Sequence, residues 1–155
     1  MTPVISFVRG DAADPTITLP AYTTAGAAGA DVRANLALTD RAAGVRVPPL
    51  GRCLVPTGLH ANIPDGFEIQ VRPRSGLALK HGLTLLNTPG TIDSDYRGEI
   101  GVILINLSDA DYVVTHGDRI AQLVVAPVVQ AVFREADQLS NTTRNDAGFG
   151  STGVS

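Results

Sequence analysis

The glycines and prolines of this chain constrain its fold more than any other feature. Sixteen glycines and ten prolines cut 155 residues into short apolar segments. Leu54-Val55, Leu59 to Ile63, Phe67 to Val71, Ile100 to Asn106, Tyr112 to Thr115 and Ile120 to Val125 read as strands. Phe67-Glu68-Ile69-Gln70-Val71 alternates apolar and polar, as a strand with one buried face does. Many short strands separated by turn residues predict an all-β sandwich or barrel. No repeat of fixed period and no shift in composition marks a boundary, so the length predicts one domain with a real core.

Composition narrows the partners. Net charge is −3, and of twelve basic residues only Lys80 is lysine. A generic nucleic-acid surface needs a basic stripe, so no nucleic-acid partner is expected. No apolar run approaches the roughly 20 residues that span a bilayer, so no membrane partner is expected. Met1-Thr2-Pro3-Val4-Ile5 lacks the basic and apolar blocks of a secretory signal. The single cysteine, Cys53, sits beside Leu54 and Val55 and reads as a small core residue in a reducing compartment, the cytoplasm.

One short helix is predicted over Ser75-Gly76-Leu77-Ala78-Leu79-Lys80-His81-Gly82. Serine suits the N-cap, Lys80 and His81 suit the last turn, and Gly82 suits the position just beyond it. Arg72-Pro73-Arg74-Ser75-Gly76 leads into it and combines charge, a hydroxyl and a helix start, which favour phosphate. Further on, Thr88-Pro89-Gly90-Thr91 is a turn signal between apolar flanks and predicts a hairpin. On its return arm, Asp93 and Asp95 would share one strand face, with Ser94 and Tyr96 opposite. Asp31 follows Gly29 in Ala28-Gly29-Ala30-Asp31-Val32-Arg33-Ala34. Gly117-Asp118-Arg119-Ile120-Ala121-Gln122 reads as a turn entering a strand, with Asp118 and Arg119 as a local ion pair. Gln122 shares a strand face with Ile120 and needs a polar partner there. From Ser140 onward the chain is polar and glycine-rich, with one aromatic, Phe149. Each segment also has a plain reading: solvated acids, a serine cap between surface arginines, turn residues, an ordinary polar end.

In this order, the five segments resemble those of the trimeric deoxyuridine triphosphatase (dUTPase) family. They are Ala28-Gly29-Ala30-Asp31, Pro73-Arg74-Ser75-Gly76-Leu77, Ile92-Asp93-Ser94-Asp95-Tyr96-Arg97-Gly98, Gly117-Asp118-Arg119-Ile120-Ala121-Gln122 and Gly148-Phe149-Gly150-Ser151-Thr152-Gly153. The resemblance implies a jelly-roll-like β-barrel over residues 1–139 with one short helix, and a flexible C-terminal arm over residues 140–155 that closes over the active site. It implies a homotrimer with shared active sites, hydrolysing dUTP to dUMP and pyrophosphate with Mg2+ on the triphosphate. That reaction would keep uracil out of DNA and supply dUMP for thymidylate synthesis. Asp93 matches the acid that orients the attacking water. Tyr96 matches the aromatic that packs on deoxyribose, and Asn87 the residue beside uracil. Arg74, Ser75, Gly76 and Gln122 match phosphate contacts. Asp31 matches an acid that meets the metal through water. Arg144, Phe149, Ser151 and Thr152 match the arm. The chain departs from the family where Asn145 and Ala147 replace the usual glycines.

Two other readings differ in chemistry. A dCTP deaminase resembles this family in fold but needs a glutamate in the strand after the hairpin, and Ile100 to Asn106 holds no acid. A nucleotide-binding module without catalysis would keep the pocket and lose the reacting groups, whereas Asp93, Arg74, Gln122 and Phe149 are all present.

Overall fold

The computed structural model describes residues 2–146 and 148. Its strands are β1 (Ser6–Arg9), β2 (Ala21–Tyr22), β3 (Ala30–Arg33), β4 (Val45–Val47), β5 (Arg52–Asn62) and β6 (Phe67–Arg72), followed by β7 (Leu83–Leu85), β8 (Gly90–Ile92), β9 (Glu99–Asn106), β10 (Tyr112–Val114) and β11 (Arg119–Pro127). One helix, α1 (Ser75–His81), lies between β6 and β7. Strand order is β1-β5-β9-β7 in one sheet and β2-β3-β11-β6-β8 in the other, and β4 and β10 form a separate ribbon. Strands from all three contribute to one buried cluster, including Val55, Val102 and Leu104 from the first sheet, Val32, Ile69 and Leu123 from the second, and Val47 and Val114 from the ribbon.

This is the all-β jelly-roll architecture that the sequence predicts, with its one short helix. Alternation is the cause. In β9, Ile100, Val102, Leu104 and Asn106 are buried while the residues between them are not. That strand begins one residue earlier than the apolar run, at Glu99, whose Oε1 accepts the Gly58 N–H at 2.7 Å. No helix among the described residues is long and apolar enough to cross a membrane. Beyond β11, the described residues form no strand or helix.

Three local expectations are corrected. Leu83–Leu85 and Gly90–Ile92 are not hairpin arms: β7 pairs with β9 in one sheet and β8 with β6 in the other. The loop between them, with a cis Thr88–Pro89 peptide bond, carries the chain across the sandwich, and Gly90 keeps a negative φ as the first residue of β8. Short apolar flanks fit either sheet, so the sequence leaves the partner open. Asp93 to Tyr96 is a turn, with the Tyr96 N–H donating to the Asp93 carbonyl at 3.2 Å, so Asp93 and Asp95 share no strand face. In α1 the N-cap is Arg74, without a side-chain cap, and Ser75 is the first helical residue. Gly82 ends the helix at φ 63°, the left-handed conformation glycine adopts without penalty.

Two polar hubs tie the loops to the core. Asn106 is fully buried. Its Nδ2 donates to the carbonyls of Val47 at 2.9 Å and Ala110 at 2.7 Å, and its Oδ1 accepts from the Ser108 N–H and Oγ. Removing that amide takes a donor from the Val47 carbonyl in the interior and the acceptor from the Ser108 N–H. Asn106→Ala is expected to lower unfolding free energy by about 3 kcal/mol, read from denaturant midpoints.

The second hub is Asp14. Its carboxylate accepts from the Thr16 N–H and Oγ1, from Arg41 Nη1 at 3.3 Å and from His116 Nε2 at 3.2 Å. His116 Nδ1 accepts the Leu36 N–H at 3.0 Å, which leaves the proton on Nε2. The Thr16 hydroxyl and N–H, ahead of His116 and Arg41, hold the Asp14 pKa down at about 2, from 3.8. A depressed folded pKa gives stability that is present above the unfolded value and lost as pH falls through the folded one. The melting temperature should therefore fall between pH 3.8 and about 2, and less steeply in Asp14→Asn than in the parent chain.

Candidate active site

The phosphate-type residues gather where three strands run side by side. Gln122 on β11 pairs with Asp31 on β3 and with Arg72 on β6. The Asp31 carboxylate, mostly buried, accepts from three donors. Arg74 Nε and Gln122 Nε2 reach its Oδ1 at 3.1 and 3.3 Å, and Arg119 Nη1 reaches its Oδ2 at 3.1 Å. Arg74 Nη1 also donates to the Arg119 carbonyl at 3.3 Å. Two contacts thus aim the Arg74 guanidinium, and it keeps further N–H groups for an anion. A Cβ on Gly29 would lie 3.1 Å from Gln122 Cβ and Oε1, so glycine makes room for that side chain. Ser75 and Gly76 open α1 next to Arg74 and are exposed.

Sequence reasoning missed Arg119. It pairs with Asp31, not with Asp118, whose Oδ2 accepts the Thr115 N–H at 2.8 Å. A register shift between Arg119 and Ala121 turns the strand there, and no residue pattern announces it.

Asp93 and Tyr96 lie elsewhere. Asp93 follows β8 and borders two cavities. The larger, about 640 Å³, is lined by Asp65, Phe67, Glu68 and Asp95 among others. The smaller, about 170 Å³, is lined by Thr91, Ile92, Tyr96, Glu99, Ile100 and Gly101 besides Asp93. Tyr96 Oη donates to the Glu99 carbonyl at 3.1 Å, which holds the ring at the mouth of this smaller cavity. Asn87 is exposed on the crossing loop, and its Nδ2 would lie 3.0 Å from a Cβ on Gly90.

The two groups do not meet within one chain. Ile92 pairs with Ile69 and Gln122 with Arg72, and β6 separates β8 from β11. Strand rise and strand spacing put Asp93 and Gln122 about 16 Å apart. Attack on a phosphorus atom needs the water within about 3–3.5 Å. So one chain brings together Asp31, Arg74 and Gln122 with Ser75 and Gly76 adjacent, and separately Asp93 with Tyr96.

Asp31 also bears on metal. No group of three or more His, Cys, Asp or Glu side chains among the described residues could hold an ion directly. A carboxylate has about four lone-pair sites. Arg74, Arg119 and Gln122 leave Asp31 room to accept one more hydrogen bond, which suits a metal-bound water. Magnesium keeps several waters and binds largely through substrate phosphates, so the residues present fit it in that indirect form.

Near the C-terminus, Asn145 adopts φ 43° where the usual pattern has glycine. Its N–H donates to Thr142 Oγ1 at 3.0 Å and its Oδ1 accepts the Thr142 N–H at 3.1 Å. These reciprocal bonds hold a left-handed asparagine. Arg144 precedes it; Phe149, Ser151 and Thr152, with Ala147, lie outside the described residues.

Comparison with known proteins converges on one family. The family model described as dUTPase matches residues 16–153. A deoxyuridine 5'-triphosphate nucleotidohydrolase of Roseobacter denitrificans is 62% identical over 143 residues, covering 92% of this chain and 91% of that protein. The protein of the same name from Dinoroseobacter shibae is 59% identical over 153 residues, 99% of each. Among solved structures, the dUTPase of Staphylococcus bacteriophage 80alpha with dUPNHPP superposes with a TM-score of 0.84 at 23% identity, covering 99% of this chain and 100% of that one. A mutant dUTPase of S. aureus phage phi11, described with a structural Mg(II) ion, gives 0.72 at 20% identity, covering 87% and 97%. The phage structures bear on the fold alone. The family match and the bacterial relatives, over nearly the whole length, show that this chain belongs to the dUTPase family, the deoxyuridine 5'-triphosphate nucleotidohydrolases.

Proposed function

We propose that this chain hydrolyses dUTP to dUMP and pyrophosphate in active sites shared between the subunits of a homotrimer. The observation that carries this reading is the pair of half-sites about 16 Å apart on one chain. Each is incomplete for phosphoryl chemistry. Asp93 has no nearby cationic group of the Arg74 cluster, and that cluster has no Asp93. A neighbouring copy supplying the other half completes both.

In the assembled site, the Asp93 carboxylate accepts a hydrogen bond from the attacking water and aims its lone pair in line with the leaving pyrophosphate. Tyr96 packs on deoxyribose. Asn87 and the crossing loop meet uracil. Cytosine swaps donor and acceptor at two ring-edge positions, and each buried group left unpaired costs on the order of 1–3 kcal/mol. Arg74, Gln122, Ser75 and Gly76 hold the phosphates, and their charge and N–H groups stabilise the developing negative charge. Bound to the triphosphate, Mg2+ would neutralise charge and fix the conformation of the phosphates. Asp31 would reach it through water while holding Arg74 and Arg119. Residues 140–155 would close over the nucleotide, with Arg144 on phosphate, Phe149 on the base, and Ser151 and Thr152 adding polar contacts. The product dUMP feeds thymidylate synthesis, and removing dUTP keeps uracil out of DNA. The cytoplasm suits a chain whose lone thiol, Cys53, stays reduced.

Asn in place of Asp93 keeps the size and loses the carboxylate. Asp93→Asn is expected to bind a non-hydrolysable dUTP analogue as the parent does and to lose at least about a hundredfold in kcat, measured as pyrophosphate release. Near-parental turnover would remove Asp93 from the water-orienting role.

Shared sites make a second prediction. Asp93→Asn and Arg74→Ala chains, each nearly inactive alone, should regain activity when unfolded and refolded together, because some sites then draw an intact half from each. Absence of recovery in mixed trimers, or an active monomer by mass measurement, would overturn the shared-site reading.

A further inference from the structure

We infer that Gly98 is a positioning residue for Tyr96, and through it a determinant of sugar discrimination. The inference rests on the proposed role of Tyr96 as the group that packs on deoxyribose. Tyr96 leaves the Asp93 turn and its side chain folds back along the chain, so that its hydroxyl reaches the Glu99 carbonyl. Gly98 lies directly beneath the ring. A Cβ there would overlap Tyr96 Oη and Cζ and approach Cε2 to 2.8 Å, and these three atoms are its nearest neighbours.

The need is for space, not for backbone freedom. Among the described residues, the glycines with positive φ are Gly44, Gly58, Gly66, Gly82 and Gly117, and Gly98 is not among them. Any residue could adopt its backbone, yet none with a side chain leaves the ring where it is. At Gly51 and Gly44 a missing Cβ makes room for framework atoms, Pro48 and the Val114 carbonyl. At Gly98 it makes room only for the tip of a side chain that is 45% exposed and borders the candidate site.

That difference sets the consequence. An exposed phenol can rotate away from an added methyl group, so the fold has little to lose. The ring then forfeits its hydrogen bond to Glu99 and uncovers the 170 Å³ cavity. A gate displaced in this way still leaves the phosphate contacts and Asp93 intact. Its loss should appear in discrimination at the sugar, and in KM more than in kcat.

The test uses the full-length chain with saturating magnesium and kcat/KM for dUTP and UTP in four forms: parent, Gly98→Ala, Tyr96→Ala and the double variant. Gly98→Ala is expected to cut the dUTP-to-UTP ratio about tenfold, mainly through KM. In the Tyr96→Ala background, adding Gly98→Ala should change the ratio by less than about twofold, because the two act through one ring. If Gly98→Ala folds poorly, the double variant should recover the parental melting temperature, since the obstructing ring is gone; instability that persists there would overturn the inference. A parental ratio in Gly98→Ala with a reduced one in Tyr96→Ala overturns the role of Gly98 and leaves the gate standing. A parental ratio in both removes the gate and Gly98 with it. A further loss in the double variant assigns Gly98 an effect on the backbone instead.

Discussion

The register of β11 between β3 and β6 is the constraint on which the site depends. It places Gln122 between Asp31 and Arg72. Antiparallel hydrogen bonds fix that register, and a slip of one residue would turn every side chain to the opposite face. Ala121 and Leu123 are buried on either side of Gln122, so the core itself forbids the slip. Apolar burial thereby sets the position of a polar cluster to within a residue.

The same register divides the chemistry. Asp93 comes after the strand on the far side of β6, and the strand spacing keeps it away from Gln122. A rigid sheet cannot bend to join the two ends, and in the proposed trimer a second copy completes the site. A polar cluster on a rigid sheet gains precision, and the proposed need for a partner follows from that rigidity.

Charge is arranged locally against an unfavourable total. The chain carries net −3, whereas a nucleoside triphosphate is strongly anionic. Asp31 is shared by Arg74 and Arg119, so the cluster of those three residues stays net positive by one. The carboxylate holds the guanidiniums in place and lowers the repulsion between them. Gly29 and Gly98 act on the same logic from the steric side, each leaving space for one polar or aromatic side chain.

Much was legible without coordinates. Period-two alternation predicted β6, because a sheet with one buried face demands it, and a short apolar run predicted β9. Gly82 ended the helix as expected, because few other residues tolerate its φ. The five ordered segments identified the family. Three things only the tertiary structure decided. β3 was missed because its alternation runs for only four residues, Ala30 to Arg33, yet it lies inside a sheet between β2 and β11. β7 and β8 were expected to pair with each other as a hairpin and do not, because short apolar strands pair equally well in either sheet, and packing chooses. Arg119 found Asp31 rather than its chain neighbour because a local break in register aims it there. The sequence by itself determined which residue types are present and where β5, β6, β9, β10 and β11 run, since these follow from local apolar patterning. Which of them touch was decided by sheet order and register, which are properties of residues far apart in the chain.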